Sequence, residues 1–124
     1  MQANRVKALT MSKTPKRILS LRALQACASE RSLVVKAMAH PTRLLVMEAL
    51  MQGEQCVNAL TAMAGCDVTT LSKHLSVMKK AGLLVCEKRG LNVYYQIACP
   101  CFADFFRCID LISATREAQR TCTC

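Results

Sequence analysis

Acidic residues, histidines and long apolar runs are scarce in this sequence, and each shortage excludes a class of protein. Eight Asp and Glu stand against seventeen Lys and Arg, which gives a formal net charge of +9. We therefore expect an acidic partner, for which nucleic acid is the commonest candidate and a membrane surface is the rival. No stretch approaches the length of a membrane-spanning helix, so the sequence argues against a membrane protein.

The motifs that enzymes need are also missing. The sequence contains no glycine-rich phosphate loop, no paired carboxylates and no HExxH motif. A nucleophilic cysteine needs a base, and neither histidine, His40 or His74, lies near the cysteine-rich segment at residues 99–108. An enzyme would have to show an apolar pocket with a cysteine-histidine contact, which this sequence does not indicate. We predict a binding protein without catalytic activity.

Residues 67–84, DVTTLSKHLSVMKKAGLL, carry the clearest pattern in the chain. At 3.6 residues per turn, an apolar stripe that must face a core is formed by Val68, Leu71, Leu75 and Met78. Asp67 is a good N-cap and Gly82 a good C′ residue for one helix. The opposite face has hydroxyls and cations without an acid: Thr69, Thr70, Ser72, Lys73, Ser76, Lys79 and Lys80. Such a face suits a DNA major groove, although a solvated surface helix can look the same.

The segments around this helix complete a known DNA-binding arrangement. Two β-prone runs follow at residues 83–88 and 93–97, joined by a tight turn that contains Gly90. A short apolar helix precedes it at residues 57–64, with Gly65 in the turn between the helices. We therefore predict a mainly α-helical fold with a small β-hairpin, a winged helix-turn-helix.

In this arrangement the N-terminal half of the second helix would enter a major groove. The residues placed nearest the bases are Thr70, Ser72, Lys73 and His74, and Thr69 is a further predicted DNA contact at the start of the same helix. Phosphate contacts are assigned to Lys79, Lys80, Lys88 and Arg89. Two half-sites about 34 Å apart would make the double-stranded operator an imperfect palindrome. The alternative is a basic interaction module, whose binding would depend on salt but not on sequence.

From about residue 33 to residue 111 the chain resembles the ArsR/SmtB family of winged-helix repressors, which sense metals, metalloids or thiol-reactive species. The resembling segments are KAMAHPTRLLVMEAL (36–50), EQCVNAL (54–60), DVTTLSKHLSVMKKAGLL and the VYYQI strand. The resemblance implies a homodimer that pairs through its terminal helices and represses its own operon. It also implies that the dimer leaves DNA when an inducer binds.

Residues 1–17 are predicted to form a flexible basic arm, because this end of the chain contains no acid. The alternatives are a targeting segment and an upstream start, with translation beginning at Met11. Residues 16–27 resemble a lipoprotein signal, but Arg22 interrupts an apolar region that is already short. We prefer the basic arm.

Three helical segments are expected between the arm and the DNA-binding helices, at residues 18–28, 30–39 and 42–51. His40 is interpreted as the cap of the third, with Pro41 in its first turn. Arg43 is interpreted as structural and paired with a carboxylate.

Pro100 opens a last helix over residues 101–120. Its apolar positions recur at helical spacing: Phe102, Phe105, Phe106, Ile109 and Ile112. This is too much apolar surface for a helix at the edge of a small monomer, so we predict dimerisation, with an intramolecular core as the alternative. The DNA-binding and dimerisation domain thus spans residues 18–116, and residues 117–124 form a tail that contains Cys122 and Cys124.

Nine cysteines in 124 residues would suggest a disulfide scaffold in an exported protein. The number is odd and no export signal is convincing, so we expect the cytoplasm, where free thiols can bind soft ligands. Cys66 and Cys86 are interpreted as small buried residues.

Two sensor sites of the resembling family are incomplete in this chain. Its zinc site needs Asp, His and Glu ligands on the last helix, where this chain has no histidine. Its Cys-Val-Cys thiolate pair is matched only at Cys56, because Asn58 stands at the second position. Another thiol, for instance Cys27 of the partner chain, would have to complete that pair.

The preferred inducer site is formed by Cys99, Cys101 and Cys108. Sulfurs that share a soft metal centre at about 2.3 Å lie within about 4.6 Å of one another, which Cys99 and Cys101 could satisfy. Cys108 lies about 10 Å further along an ideal helix, so the helix start must unwind or the partner must contribute a ligand. Drawing Cys108 towards Cys99 and Cys101 would distort the last helix and change the spacing of the two DNA-binding helices in the dimer, so the site would act as a switch. The predicted inducer is arsenite or antimonite, As(III) or Sb(III); the alternatives are Cd(II) or Pb(II), and oxidation or persulfidation of a cysteine pair.

Overall fold

The structure is a computed structural model that describes residues 20–121. Two compact units divide the chain, one ending at Ala98 and the other beginning at Cys99. The predicted basic arm and the thiols of Cys122 and Cys124 lie outside the described residues.

The described part of the first unit contains helices α1 to α4 and a three-stranded sheet. Its elements in chain order are α1 (Leu21–Met38), α2 (Pro41–Met51), β1 (Gln55–Cys56), α3 (Val57–Ala64), α4 (Val68–Lys80), β2 (Leu84–Arg89) and β3 (Asn92–Ile97). The second unit carries α5 (Phe102–Thr121). The fold is mainly helical with a small antiparallel sheet, which confirms the predicted class.

Helix α1 is one continuous helix, whereas the sequence pattern predicted two segments that meet near Ser29. No glycine or proline interrupts this stretch, so backbone hydrogen bonding continues through Ser29. The helix begins after Ser20, whose Oγ accepts a hydrogen bond from the Ala23 amide at 3.3 Å.

The core of the first unit lies between α2, α3 and α4. Its fully buried side chains are Val46, Met47, Leu60, Leu71, Leu75, Met78 and Leu83. Three of the four positions predicted for the α4 stripe are therefore confirmed, but Val68 is 52% exposed. Val68 is the first residue of the helix, and its side chain tilts towards the N-terminus and away from the core.

The predicted hairpin is confirmed, and a strand that the pattern missed joins it. The sheet order is β1-β3-β2, with all pairs antiparallel. Gly90, at φ 62°, begins the two-residue turn between β2 and β3. Strand β1 pairs Gln55 with Tyr95 and Cys56 with Tyr94. A strand of two residues is too short to show an alternating pattern, so β1 could not be predicted from the sequence.

Helix α5 continues to Thr121, so any terminal tail begins later than residue 117. Its apolar side chains are mostly in contact with solvent: Ile112 is 69% exposed and Phe105 39%. The Phe102 and Phe105 rings meet edge to face with centroids 6.4 Å apart. Between residues 20 and 121, no helix combines the length and apolar character that crossing a membrane requires.

Candidate nucleic-acid interface and thiol sites

Helix α4 is fixed at both ends by its own sequence. The Asp67 carboxylate accepts hydrogen bonds from the Thr70 amide at 2.9 Å and from the Thr70 hydroxyl at 2.6 Å. These two bonds hold the pKa of Asp67 below its usual range. At the other end Gly82, at φ 81°, turns the chain so that the Leu83 amide donates to the Met78 carbonyl at 3.0 Å.

The side of α4 opposite the buried stripe is open to solvent and contains no acid. Its exposed residues are Thr69, Thr70, Ser72, Lys73, Ser76, Lys79 and Lys80. The Thr70 hydroxyl donates to Asp67 and is part of the cap. Thr69, Ser72 and Lys73 therefore remain as the exposed groups near the helix N-terminus that can reach base edges.

His74 differs from its neighbours on α4, because its ring is half-buried and turned towards α2. Its Nδ1 accepts a hydrogen bond from Arg43 Nε at 3.1 Å, and its ring centroid lies 4.3 Å from that of His40. Burial, followed by the nearby His40 and Arg43 groups, lowers the pKa of His74. Of the four residues predicted nearest the bases, Thr70 is thus held by the Asp67 cap and His74 by its contact with α2.

The predicted carboxylate partner of Arg43 is wrong. Its Nη1 donates to the carbonyl oxygens of Lys36 and Ala37, each at 3.4 Å, near the end of α1. Carbonyls in the last turn of a helix lack partners within the helix, and a guanidinium can supply them. The predicted cap role of His40 is confirmed, because its Nδ1 accepts the Thr42 amide at 3.1 Å.

The wing is the hairpin formed by β2 and β3. It contains Lys88 and Arg89, the two other cations to which phosphate contacts were assigned, and these two residues differ in their contacts. Lys88 is exposed and lies in β2, opposite Val93. Arg89 binds both carboxylate oxygens of Glu54, at 2.6 and 3.0 Å, and Glu87 at 2.8 Å. Lys88 therefore remains free to contact a phosphate, as predicted for it, whereas Arg89 ties the wing to the segment before β1.

Glu54 is the residue at this interface that sequence reasoning missed. Besides Arg89, it accepts a hydrogen bond from Gln96 Nε2 at 2.7 Å. The Arg89 guanidinium, with help from Gln96, holds the pKa of Glu54 below its usual range. Arg89 follows Glu54 by 35 residues, so neither spacing nor charge pattern could reveal this pair before β1 was known to join the sheet.

The junction of α4 with the sheet contains a thiol. Cys86 lies opposite Tyr95 in the β2-β3 pairing. A hydrogen bond with Cys86 raises the pKa of Lys79, and burial raises the pKa of Tyr95. The prediction that Cys66 and Cys86 are buried is wrong, since both are half-buried. Cys66 lies in the turn before α4, and Cys86 lies in β2, an edge strand of the sheet.

The structure brings together two of the three thiols of the preferred inducer site. Cys99 and Cys101 are joined as a disulfide, with Cα atoms 5.3 Å apart, and Cys108 is an exposed free thiol on α5. The second-choice thiols, Cys27 on α1 and Cys56 in β1, are free and half-buried. Within residues 20–121 of a single chain, no three His, Cys, Asp or Glu side chains are grouped to hold a metal ion.

Comparison with known proteins agrees with this geometry. The model of the bacterial regulatory protein family arsR matches residues 40–85, which contain the helix-turn-helix. The biofilm growth-associated repressor of Agrobacterium fabrum is 32% identical over 80 residues, covering 64% of this chain and 68% of that protein. The HTH-type transcriptional regulator Rv0324 of Mycobacterium tuberculosis is 34% identical over 80 residues, covering 64% of this chain.

The chain spans only 35% of the length of that mycobacterial regulator. Among solved structures, the homodimeric winged helix-turn-helix DNA-binding domain Mb0332 of Mycobacterium bovis superposes with a TM-score of 0.68. It is 29% identical, and the match covers 83% of this chain and 94% of that one. This protein therefore belongs to the ArsR family of bacterial regulatory proteins, as a winged helix-turn-helix transcriptional regulator.

Proposed function

We propose that the protein is a homodimeric repressor that binds an operator through α4 and leaves it when cysteine thiolates bind an inducer. The observation that carries the proposal is the exposed, acid-free face of α4 in the same chain as the adjacent thiols of Cys99 and Cys101. The Agrobacterium relative is named a repressor, which supports repression, and the similar mycobacterial domain is homodimeric, which supports dimerisation. Its place would be the cytoplasm, where these thiols stay reduced.

On DNA, Thr69, Ser72 and Lys73 would contact base edges from the first turns of α4. Lys79 and Lys80 in the last turn, and Lys88 in the wing, would neutralise phosphates. A two-fold dimer reads two half-sites in opposite orientation, so the operator would be an imperfect palindrome with half-sites about 34 Å apart.

Dimerisation would use α5. Its apolar side chains remain exposed in the single chain, with Leu111 63% and Ile112 69% accessible. Residues of this kind are normally covered when they lie together on one helix. Pairing of two α5 helices across the two-fold would cover them and would set the distance between the two copies of α4.

The inducer proposed first is As(III) or Sb(III), bound by Cys99, Cys101 and Cys108 in the reduced protein. The chemistry of the donors fits a soft trivalent centre, because thiolates are its preferred ligands. Each As–S bond forms as an As–OH bond breaks, and the thiol proton leaves in the water released. Cys108 lies seven residues beyond Cys101, so its sulfur would be drawn in by opening the first turns of α5, or the partner chain would supply the third thiol. Either change would alter the pairing of α5.

The soft divalent ions Cd(II) and Pb(II) are the alternative inducers for the same thiolates.

A thiol redox switch is the second candidate, and the bonded pair Cys99 and Cys101 favours it. Two thiols would give two electrons and two protons to a peroxide, forming the disulfide and two molecules of water. The disulfide would restrain the chain immediately before α5, where the proposed metalloid would also act. The two candidates therefore share a site and differ in the reagent.

The test begins with selection of duplexes from a random DNA pool by the reduced protein, which identifies the operator. Release of labelled operator is then followed by fluorescence anisotropy during titration with arsenite, antimonite, Cd(II), Pb(II), Zn(II) and hydrogen peroxide. The variants are Cys99→Ser, Cys101→Ser and Cys108→Ser. Cys66→Ser is the matched control, since Cys66 is a half-buried free thiol outside the proposed site.

We expect arsenite to release the operator from the wild type and from the Cys66→Ser control. It should not release the operator from the Cys99→Ser, Cys101→Ser or Cys108→Ser variants. Release by peroxide alone, abolished by changing Cys99 or Cys101, would replace the metalloid proposal with the redox switch. Release that persists in all three variants would overturn both. Failure to select any sequence would overturn operator binding itself.

A further inference from the structure

One cluster in the first unit takes no part in the DNA contacts proposed above, although it includes a residue of α4. It consists of His40, Arg43 and His74, which come from the start of α2 and the middle of α4. The His74 ring is half-buried, and α4 continues on both sides of it with exposed residues. His74 is therefore the point at which the DNA-facing side of α4 is joined to another helix.

The hydrogen bond from Arg43 assigns a protonation state to the His74 imidazole. His74 Nδ1 accepts from Arg43 Nε, and His40 Nδ1 accepts from the Thr42 amide, each at 3.1 Å. A ring nitrogen that accepts carries no proton, so the His74 ring is neutral and holds its proton on Nε2. A second proton on this ring would occupy Nδ1 and abolish the hydrogen bond from Arg43.

Arg43 extends the connection to a third helix. While its Nε donates to His74, its Nη1 donates to the carbonyl oxygens of Lys36 and Ala37 in the last turn of α1. Its guanidinium is planar and rigid, so a displacement at one end of this contact is transmitted to the other. One side chain thus fixes the middle of α4 against the end of α1.

We propose that His74 is a positioning residue for DNA recognition, and that Arg43 and His74 together fix the angle at which α4 meets the major groove. The inference rests on the proposed operator binding by α4. Ser72 and Lys73 directly precede His74, so a change in the tilt or rotation of α4 displaces both of these base-contacting groups together. Loss of the contact would therefore weaken recognition at several base pairs at once.

The same contact makes recognition sensitive to acid. Burial disfavours a positive charge on the His74 ring most, and the two groups that face the ring, His40 and Arg43, add to this effect; no carboxylate among the described residues offsets it. The pKa of His74 is therefore lowered from its ordinary value of 6.5. The neutral ring and its hydrogen bond are fully present above that value and are lost as the pH falls through the lowered pKa.

The test compares the wild type with His74→Ala, His74→Asn and Arg43→Lys, on the selected operator and on a scrambled duplex. Asn is informative because its Oδ1 can accept from Arg43 in the place of Nδ1. We expect His74→Ala and Arg43→Lys to weaken operator binding about tenfold, about 1.4 kcal/mol. Binding to the scrambled duplex and the salt dependence should stay the same, because no phosphate contact is removed. His74→Asn should retain most of the operator affinity.

The base preferences of the variants separate positioning from direct contact. A positioning role predicts that His74→Ala relaxes selection at all base pairs read by α4, and that His74→Asn restores it. If His74 itself contacts a base, both variants will lose preference at one base pair only, and the inference is overturned. Equal behaviour of the Ala and Asn variants, with the wild type still selecting an operator, would overturn it as well.

A pH series completes the experiment. The ratio of operator to scrambled affinity should fall for the wild type as the pH is lowered below 6.5, and should stay level for His74→Asn. His40→Asn is the control, since Asn keeps the helix cap but removes the second imidazole, and its pH response should persist. A wild type that selects no sequence at all would instead contradict operator binding, so the two failures can be told apart.

Discussion

Helices α4 and α5 both carry apolar residues at helical spacing, yet the chain treats them in opposite ways. In α4 the side chains of Leu71, Leu75 and Met78 have no exposed surface. In α5 no side chain from residue 102 to residue 120 is fully buried, and Ile112 is 69% exposed. The apolar side of α4 is thus covered by its own chain, whereas the apolar side of α5 remains exposed.

The difference follows from what each helix has beside it. Helix α4 contacts α2, α3 and β2, so its apolar stripe faces a core that is formed within a single chain. Helix α5 belongs to a separate compact unit with no other helix among its described residues. An apolar stripe therefore predicts that a helix is covered, but not whether its own chain or a second copy covers it.

The largest expected effect comes from breaking the stripe of α4. Leu75→Ala leaves a cavity in a fully buried site and should lower the free energy of unfolding by about 2 to 5 kcal/mol. Urea denaturation followed by circular dichroism measures this. Val68→Ala is the matched control on the same helix; because Val68 is 52% exposed, its effect should stay below about 1 kcal/mol. Equal losses would contradict the assignment of the core.

The corresponding change in α5 should affect association and leave the fold of the single chain intact. In a two-fold dimer Ile112→Glu places one negative charge from each chain in the interface. We expect the dissociation constant of the dimer to rise at least about 100-fold. Light scattering after size exclusion reports the mass, and circular dichroism reports retained helix. Ala114→Glu puts the same charge on another side of α5 and should leave the dimer unchanged. A monomeric wild type would contradict the proposal for α5.

A smaller effect separates the exposed side of α4 from the wing. Lys73→Ala should reduce operator affinity by about 1 to 3 kcal/mol and relax base preference, because Lys73 is placed at base edges. Lys88→Ala should weaken all duplexes alike and reduce the slope of affinity against salt by about 1. Anisotropy titrations at several salt concentrations distinguish these results. If the two variants behave identically, α4 does not enter the groove as proposed.

Local chemistry is where sequence reasoning succeeded. The caps of α4 at Asp67 and Gly82, the His40 cap of α2 and the Gly90 turn all depend on residues close together in the chain. Hydrogen bonds to the nearest amides and backbone conformations at positive φ decide such features, and both are properties of a few neighbouring residues.

The features that the sequence missed depend on residues far apart in the chain. The Glu54–Arg89 pair forms because β1 joins β3, and the Arg43–His74 hydrogen bond because α2 packs against α4. Arg43 was assigned a carboxylate because opposite charge is the commonest partner in sequence reasoning, but its partners are His74 and the carbonyls at the end of α1.

The sequence by itself determined the helix-turn-helix and the hairpin that follow residue 57, the limits of α4, the basic character of its exposed side and the family to which the chain belongs. Periodicity, capping and composition are local or additive properties, so they can be read without coordinates. Tertiary structure alone decided that His74 turns inward, that Arg89 is tied to Glu54 and that Cys99 and Cys101 meet without Cys108. Each of these depends on which side chains packing brings within hydrogen-bonding or bonding distance, and spacing along the chain does not fix that.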